Sequence, residues 1–173
     1  NISNVQSGID NPQGYFFVEF PLYNAAQAGL FMLFGMLTIE QWGRIVSIAS
    51  STLIAFFLYL IVSRHSNKTI GLFSAAFYAF TPFTIYFGRT ILPETSMVMA
   101  ILGGIYFFDR WIEEKSKIKN QNAKIQAKIQ NHFYYCLAIL FTAAAFLLKP
   151  YAVFFTLPMV YLAFRAFGFR MFF

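Results

Sequence analysis

The chain has 173 residues, of which 58% are hydrophobic, 21% aromatic and only 12% charged. A soluble domain carries about 25% charged residues, so this composition excludes disorder, a coiled coil and an ordinary soluble enzyme. The single Cys136 excludes an internal disulfide and a thiolate zinc cage. In so apolar a chain, the net charge of +6 reads as membrane orientation and not as nucleic-acid binding. The sequence begins at Asn1 with no signal-peptide pattern, so it is expected to be a piece of a longer membrane protein.

A hydrocarbon core about 30 Å thick is crossed by about 20 apolar residues rising 1.5 Å each. Taken in order, residues 1–20 read as the end of an outer loop. Residues 21–36 are apolar but too short to cross. They carry Asn24 and Gln27 on one side and begin with a proline suited to a first helical turn. They are expected to form a juxtamembrane helix lying in the interface, with a short tilted span as the alternative. Spanning helices are expected over 41–63, 70–88, 92–111, 132–148 and 151–167, because backbone in lipid must satisfy its own hydrogen bonds. The fold class is therefore an all-α, integral-membrane, polytopic bundle of about five transmembrane helices plus one interfacial helix. Residues 112–131 form a basic loop, with Ile118, Ile125 and Ile129 at roughly helical intervals. A solvated connector is the expectation there and an amphipathic surface helix the alternative.

The charges test that topology. Alternating loops put Arg64, Lys68, Arg110, Lys115, Lys117, Lys119, Lys124, Lys128, Arg165 and Arg170 on one side, and only Arg44, Arg89 and Lys149 on the other. The rule that cationic loops stay inside makes the first side cytoplasmic. The outer side then holds Asp10, Glu19, Glu40 and Glu94. Glu40 and Arg44 are four apart and suit a simple surface pair.

Four outer-side residues stand in turns tightened by Pro or Gly: Glu19, Arg89, Glu94 and Lys149. Each has a plain structural explanation. Pro93 and Glu94 make a good helix start, and Arg89 and Lys149 can snorkel to headgroups. Together they form two acids and two bases on three loops, a plausible site at one end of a bundle. Lys and Arg suit a phosphate. Carboxylates suit a metal, a sugar hydroxyl or proton abstraction.

Along these residues the chain resembles the GT-C glycosyltransferases that use polyprenyl-phosphate sugars. The group includes dolichyl-phosphate-mannose protein mannosyltransferases and the lipid A aminoarabinose transferase. The likeness runs from about Tyr15 to Leu162. It rests on Glu19-Phe20-Pro21-Leu22-Tyr23, Phe34-Gly35, Gly43-Arg44-Ile45-Val46-Ser47, the Arg89 to Glu94 hairpin and Leu148-Lys149-Pro150, in that order. The resemblance implies an inverting transfer from a polyprenyl-phosphate-linked sugar at the outer face of the cell membrane, to an acceptor lipid, glycan or protein. It implies Lys149 and Arg89 on the donor phosphate, Glu94 as the second acidic position, and Glu19 as an acid that binds a divalent metal in some members. No cofactor is otherwise required. The resemblance also implies a principal catalytic Asp upstream of this chain; Asp10 lies too near Glu19 for that role. Phe20 replaces the Lys that some relatives place before the proline. As a fragment, the chain is expected to be inactive alone. The alternative function is a transporter or flippase of lipid-linked sugars, which predicts broken helices and polar groups at mid-membrane.

Overall fold

The computed structural model describes residues 20–120 and 125–167. Among them there is no strand. Helix α1 spans Leu22–Phe34, α2 Ile39–His65, α3 Lys68–Phe80, α4 Pro82–Phe87, α5 Pro93–Asn120 and α6 Ile125–Leu148; a 3-10 segment over Pro150–Thr156 then leads into α7, Leu157–Phe167.

Local chemistry accounts for the ends. α1 stops where Gly35 takes a left-handed φ of 56° and its N–H closes on Phe31 O at 2.9 Å; a glycine adopts that conformation without steric cost. α2 opens with a capping box: Gln41 N–H donates to Thr38 Oγ1 at 3.3 Å, and Thr38 N–H donates to Gln41 Oε1 at 2.9 Å. α3 opens on Asn67, whose Oδ1 accepts from Ile70 N–H at 2.8 Å.

Three helical stretches are long and apolar enough to cross a membrane: Ile39–His65, Lys128–Leu148 and Pro150–Phe167. The last has only 6% of its most apolar window buried, so most of that surface is left for lipid or other protein. α1, at 13 residues or about 20 Å, falls well short of the hydrocarbon thickness.

The structure departs from the sequence expectation in two places. Residues 70–88, expected as one span, form two helices. Thr81 is extended (φ −67°, ψ 125°) before Pro82, because a residue preceding proline is pushed out of the helical region and Pro82 has no N–H to donate. The break is self-satisfied: Thr84 Oγ1 donates to Thr81 O at 2.8 Å and also to Tyr78 O. The loop expected over 112–131 is much shorter, because α5 runs on to Asn120 and α6 starts at Ile125. Asp109 and Glu113, one turn apart on α5, both hold Arg64 of α2 (Nε–Oδ2 2.9 Å, Nη2–Oε2 2.6 Å). That gives the helix a reason to continue beyond its apolar stretch.

α5 and α6 pack closely, with Gly103 and Gly104 at the contact. A Cβ on Gly103 would enter the Phe141 ring, and one on Gly104 would come within 2.7 Å of Thr142 Oγ1. Small residues of this kind let backbones approach where lipid supplies no hydrophobic drive. The core joins α1, α5, α6 and the 3-10 segment through Tyr23, Met97, Ala100, Ile101, Ala145, Leu148 and Ala152. Large side chains such as Phe73, Phe77 and Phe80 point outward, as lipid-facing surface does.

Polar contacts collect at the two ends. One end has the Arg64 cluster, Arg110 donating to Tyr134 OH at 3.1 Å, and Lys115 Nζ 4.7 Å from the Trp111 ring and 4.8 Å from that of Phe167. The other end holds the N-termini of α2 and α5 and the C-terminus of α6.

Candidate functional site

Pro93 opens α5 and places Glu94 in its first turn, where the positive helix end favours a carboxylate. On the facing element, Lys149 ends α6 in an extended conformation (φ −152°, ψ 123°), which Pro150 demands. Its N–H still bonds Ala145 O at 3.0 Å, and its carbonyl accepts from Ala152 N–H at 3.0 Å. The backbone is therefore held on both sides of the turn, and the side chain is directed across to α5.

Lys149 Nζ meets Glu94 Oε1 at 2.5 Å. Lys149 is buried, and its ammonium lies 5.5 Å from the centre of the Tyr151 ring, within cation–π range. The Glu94 side chain is 42% exposed, yet its Oε2 is shielded and has no hydrogen-bond partner among the described residues. The floor beneath is polar and ordered: Ser96 Oγ meets Ser50 Oγ at 2.9 Å, and Thr95 is buried beside it.

Next to the pair in sequence, Leu148 and Ser96 line an apolar cavity of about 260 Å³ between α1, α2, α5 and α6. Tyr23 lies on its wall. Its hydroxyl donates to Gly43 O at 2.8 Å and meets Ser47 Oγ at 2.8 Å. Burial raises the Tyr23 phenol above its ordinary value, so it acts as a neutral donor that ties α1 to α2.

Of the four residues singled out in the sequence, the structure brings two together, Glu94 and Lys149. Arg89 makes no hydrogen bond or ion pair with either. It lines an open cavity of about 510 Å³ with Arg44, Tyr86 and Thr90. Glu19 lies outside the described residues. Arg44, whose spacing from Glu40 suits a surface pair, lines this cavity instead. Among the described residues no such ion pair forms. The available signal was that Arg44 is one of only three cations on its side of the predicted topology. No group of three or more His, Cys, Asp and Glu among the described residues is placed to hold a metal.

Apolar helices with ionisable side chains gathered at their ends define an integral membrane protein, a polytopic all-α bundle. The model of the dolichyl-phosphate-mannose-protein mannosyltransferase family matches residues 18–171, nearly the whole chain. The chain belongs to this family of GT-C membrane glycosyltransferases. Comparisons with curated proteins and with solved structures found no match.

Proposed function

We propose that the chain forms part of an inverting glycosyltransferase that moves a sugar from a polyprenyl-phosphate donor to an acceptor at the outer face of the membrane. The observation that carries this reading is the Glu94–Lys149 ion pair, built from two helix ends across the bundle. In the reaction an acceptor hydroxyl attacks the anomeric carbon and gives its proton to a carboxylate base, the carbon–oxygen bond to phosphate breaks, and the lipid phosphate leaves with the electron pair. Lys149 supplies positive charge where negative charge grows on the leaving phosphate. Glu94 accepts hydrogen bonds from the sugar or acceptor and orients it. Before donor binds, each member of the pair neutralises the other. A donor phosphate competes for Lys149 and releases the carboxylate for the second substrate. The cationic end of the bundle faces the cytoplasm, which leaves this pair on the opposite surface. Arg89 supplies further positive charge at the same surface, in the neighbouring cavity.

The test is a transfer assay on the complete protein with a panel of polyprenyl-phosphate sugars. The proposal expects transfer from at least one donor, lost in Glu94→Gln and in Lys149→Ala. Normal transfer by both variants would refute the site.

One observation favours the transporter reading, the helix break at Thr81–Pro82. The break carries no ionisable side chain, and its freed carbonyls are met by Thr84. Translocation of lipid-linked sugar in vesicles lacking any acceptor would favour that reading over transfer.

A further inference from the structure

Lys149 carries its charge on a long flexible stem. Its side chain is 11% exposed, against 42% for that of Glu94, its partner at 2.5 Å. A ligand that displaces the carboxylate from the solvent side removes that tether. The ammonium then keeps its place only through contacts that the ligand leaves intact. Tyr151 supplies one. The Lys149 ammonium stands over its ring, 5.5 Å from the centre, within the distance at which the negative face of a ring attracts a cation.

The local sequence fixes the ring beside the ammonium. Pro150 holds its own φ and keeps Lys149 extended. Lys149 N–H bonds Ala145 O and the Lys149 carbonyl accepts from Ala152 N–H, both at 3.0 Å. Ala152 is fully buried and belongs to the core cluster with Met97 and Leu148. Tyr151 therefore stands between Pro150 and a core residue, on backbone pinned at both flanks.

Tyr151 itself is 43% exposed, so core packing does not account for its ring. An aromatic side chain near a helix end can also serve as a plain interface anchor. An anchor works whatever the neighbouring charge, whereas a ring under an ammonium matters only while the ammonium is there. The two roles are therefore separable by removing Lys149.

We infer that Tyr151 is a positioning residue, whose ring holds the Lys149 ammonium in place when a ligand opens the Glu94 contact. The inference rests on the proposed role of Lys149 toward the donor phosphate. Tyr151 acts through Lys149 and needs no contact with substrate. The attraction comes from the ring and not from the hydroxyl, so phenylalanine serves in its place and leucine does not.

The test measures farnesyl phosphate binding to the complete protein in phosphatidylcholine nanodiscs. Tyr151→Phe should bind as the native protein does, and Tyr151→Leu about three- to tenfold more weakly. Lys149→Ala should weaken binding as well. Adding Tyr151→Leu to Lys149→Ala should cause no further loss, because a residue that acts through Lys149 then has nothing to position. Circular dichroism of each variant establishes that the helices are retained, and Tyr151→Ile is read in the same way should the leucine variant lose them. Native-like binding by Tyr151→Leu, equal losses in Tyr151→Phe and Tyr151→Leu, or a Tyr151→Leu loss that persists without Lys149 would each overturn the positioning role while Lys149 keeps its own. Native-like binding by Lys149→Ala would instead refute the phosphate role of Lys149, and the inference with it.

Discussion

Glu94 and Lys149 lie 55 positions apart in the chain and meet through a 2.5 Å ion pair. Each stands at the end of a helix, and the α5–α6 hairpin packs so that the two ends close on each other. The pair joins a buried cation to a half-exposed carboxylate. That geometry suits a contact that a ligand can open from the solvent side.

If the pair serves only to hold the hairpin, exchanging the charges should preserve function. Glu94→Lys combined with Lys149→Glu is expected to insert and fold, and to transfer sugar about a hundredfold more slowly or worse than the native protein, the scale of losing a positioned catalytic group. Transfer assays beside size-exclusion profiles in detergent check this. Native-like transfer by the swapped variant would assign the pair a structural role alone.

Arg64 ties α2 to α5 at the opposite end through Asp109 and Glu113. Arg64→Ala is expected to cost about 2 kcal/mol, below the roughly 3–5 kcal/mol of a fully buried pair, because solvent reaches the Glu113 carboxylate. Adding Asp109→Asn and Glu113→Gln should restore part of the loss, since it removes two carboxylates that have lost the Arg64 cation. Chemical unfolding in mixed micelles measures both, and no recovery in the triple variant would contradict the ion-pair account.

At Gly103 there is no room for a methyl group against the Phe141 ring. Gly103→Ala is expected to destabilise the bundle by about 1–3 kcal/mol through overpacking. Gly103→Ala with Phe141→Leu should recover part of that, as the smaller side chain gives way. The same unfolding measurement decides between this and a hairpin that shifts to absorb the change.

The topology follows from charge and has its own check. With Cys136 replaced by Ser, a membrane-impermeant maleimide added outside intact cells is expected to label Arg89→Cys and not Lys68→Cys. The reverse pattern would invert the bundle and put the ion pair at the cytoplasmic face.

Much of the helical content was legible because it depends on local properties. Apolar runs, the Thr38 and Asn67 caps and the left-handed Gly35 all act within a few residues. The break at Pro82 was equally local, yet hydropathy hid it, since Phe80, Phe83 and Ile85 continue the apolar run across it. The extension of α5 was hidden for the opposite reason. Its charges resembled a solvated loop, and only the presence of Arg64 on α2 gives Asp109 and Glu113 a common partner.

The amino-acid order by itself determined that the chain is a helical membrane protein with chemically different ends, because hydropathy and capping operate over one or two turns. Only the tertiary structure decided that Lys149 pairs with Glu94 and that Arg89 lines one cavity with Arg44. Those pairings depend on how helices rotate and approach, which close contacts such as Gly103 on Phe141 and Gly88 on Ser51 set between residues far apart in the chain.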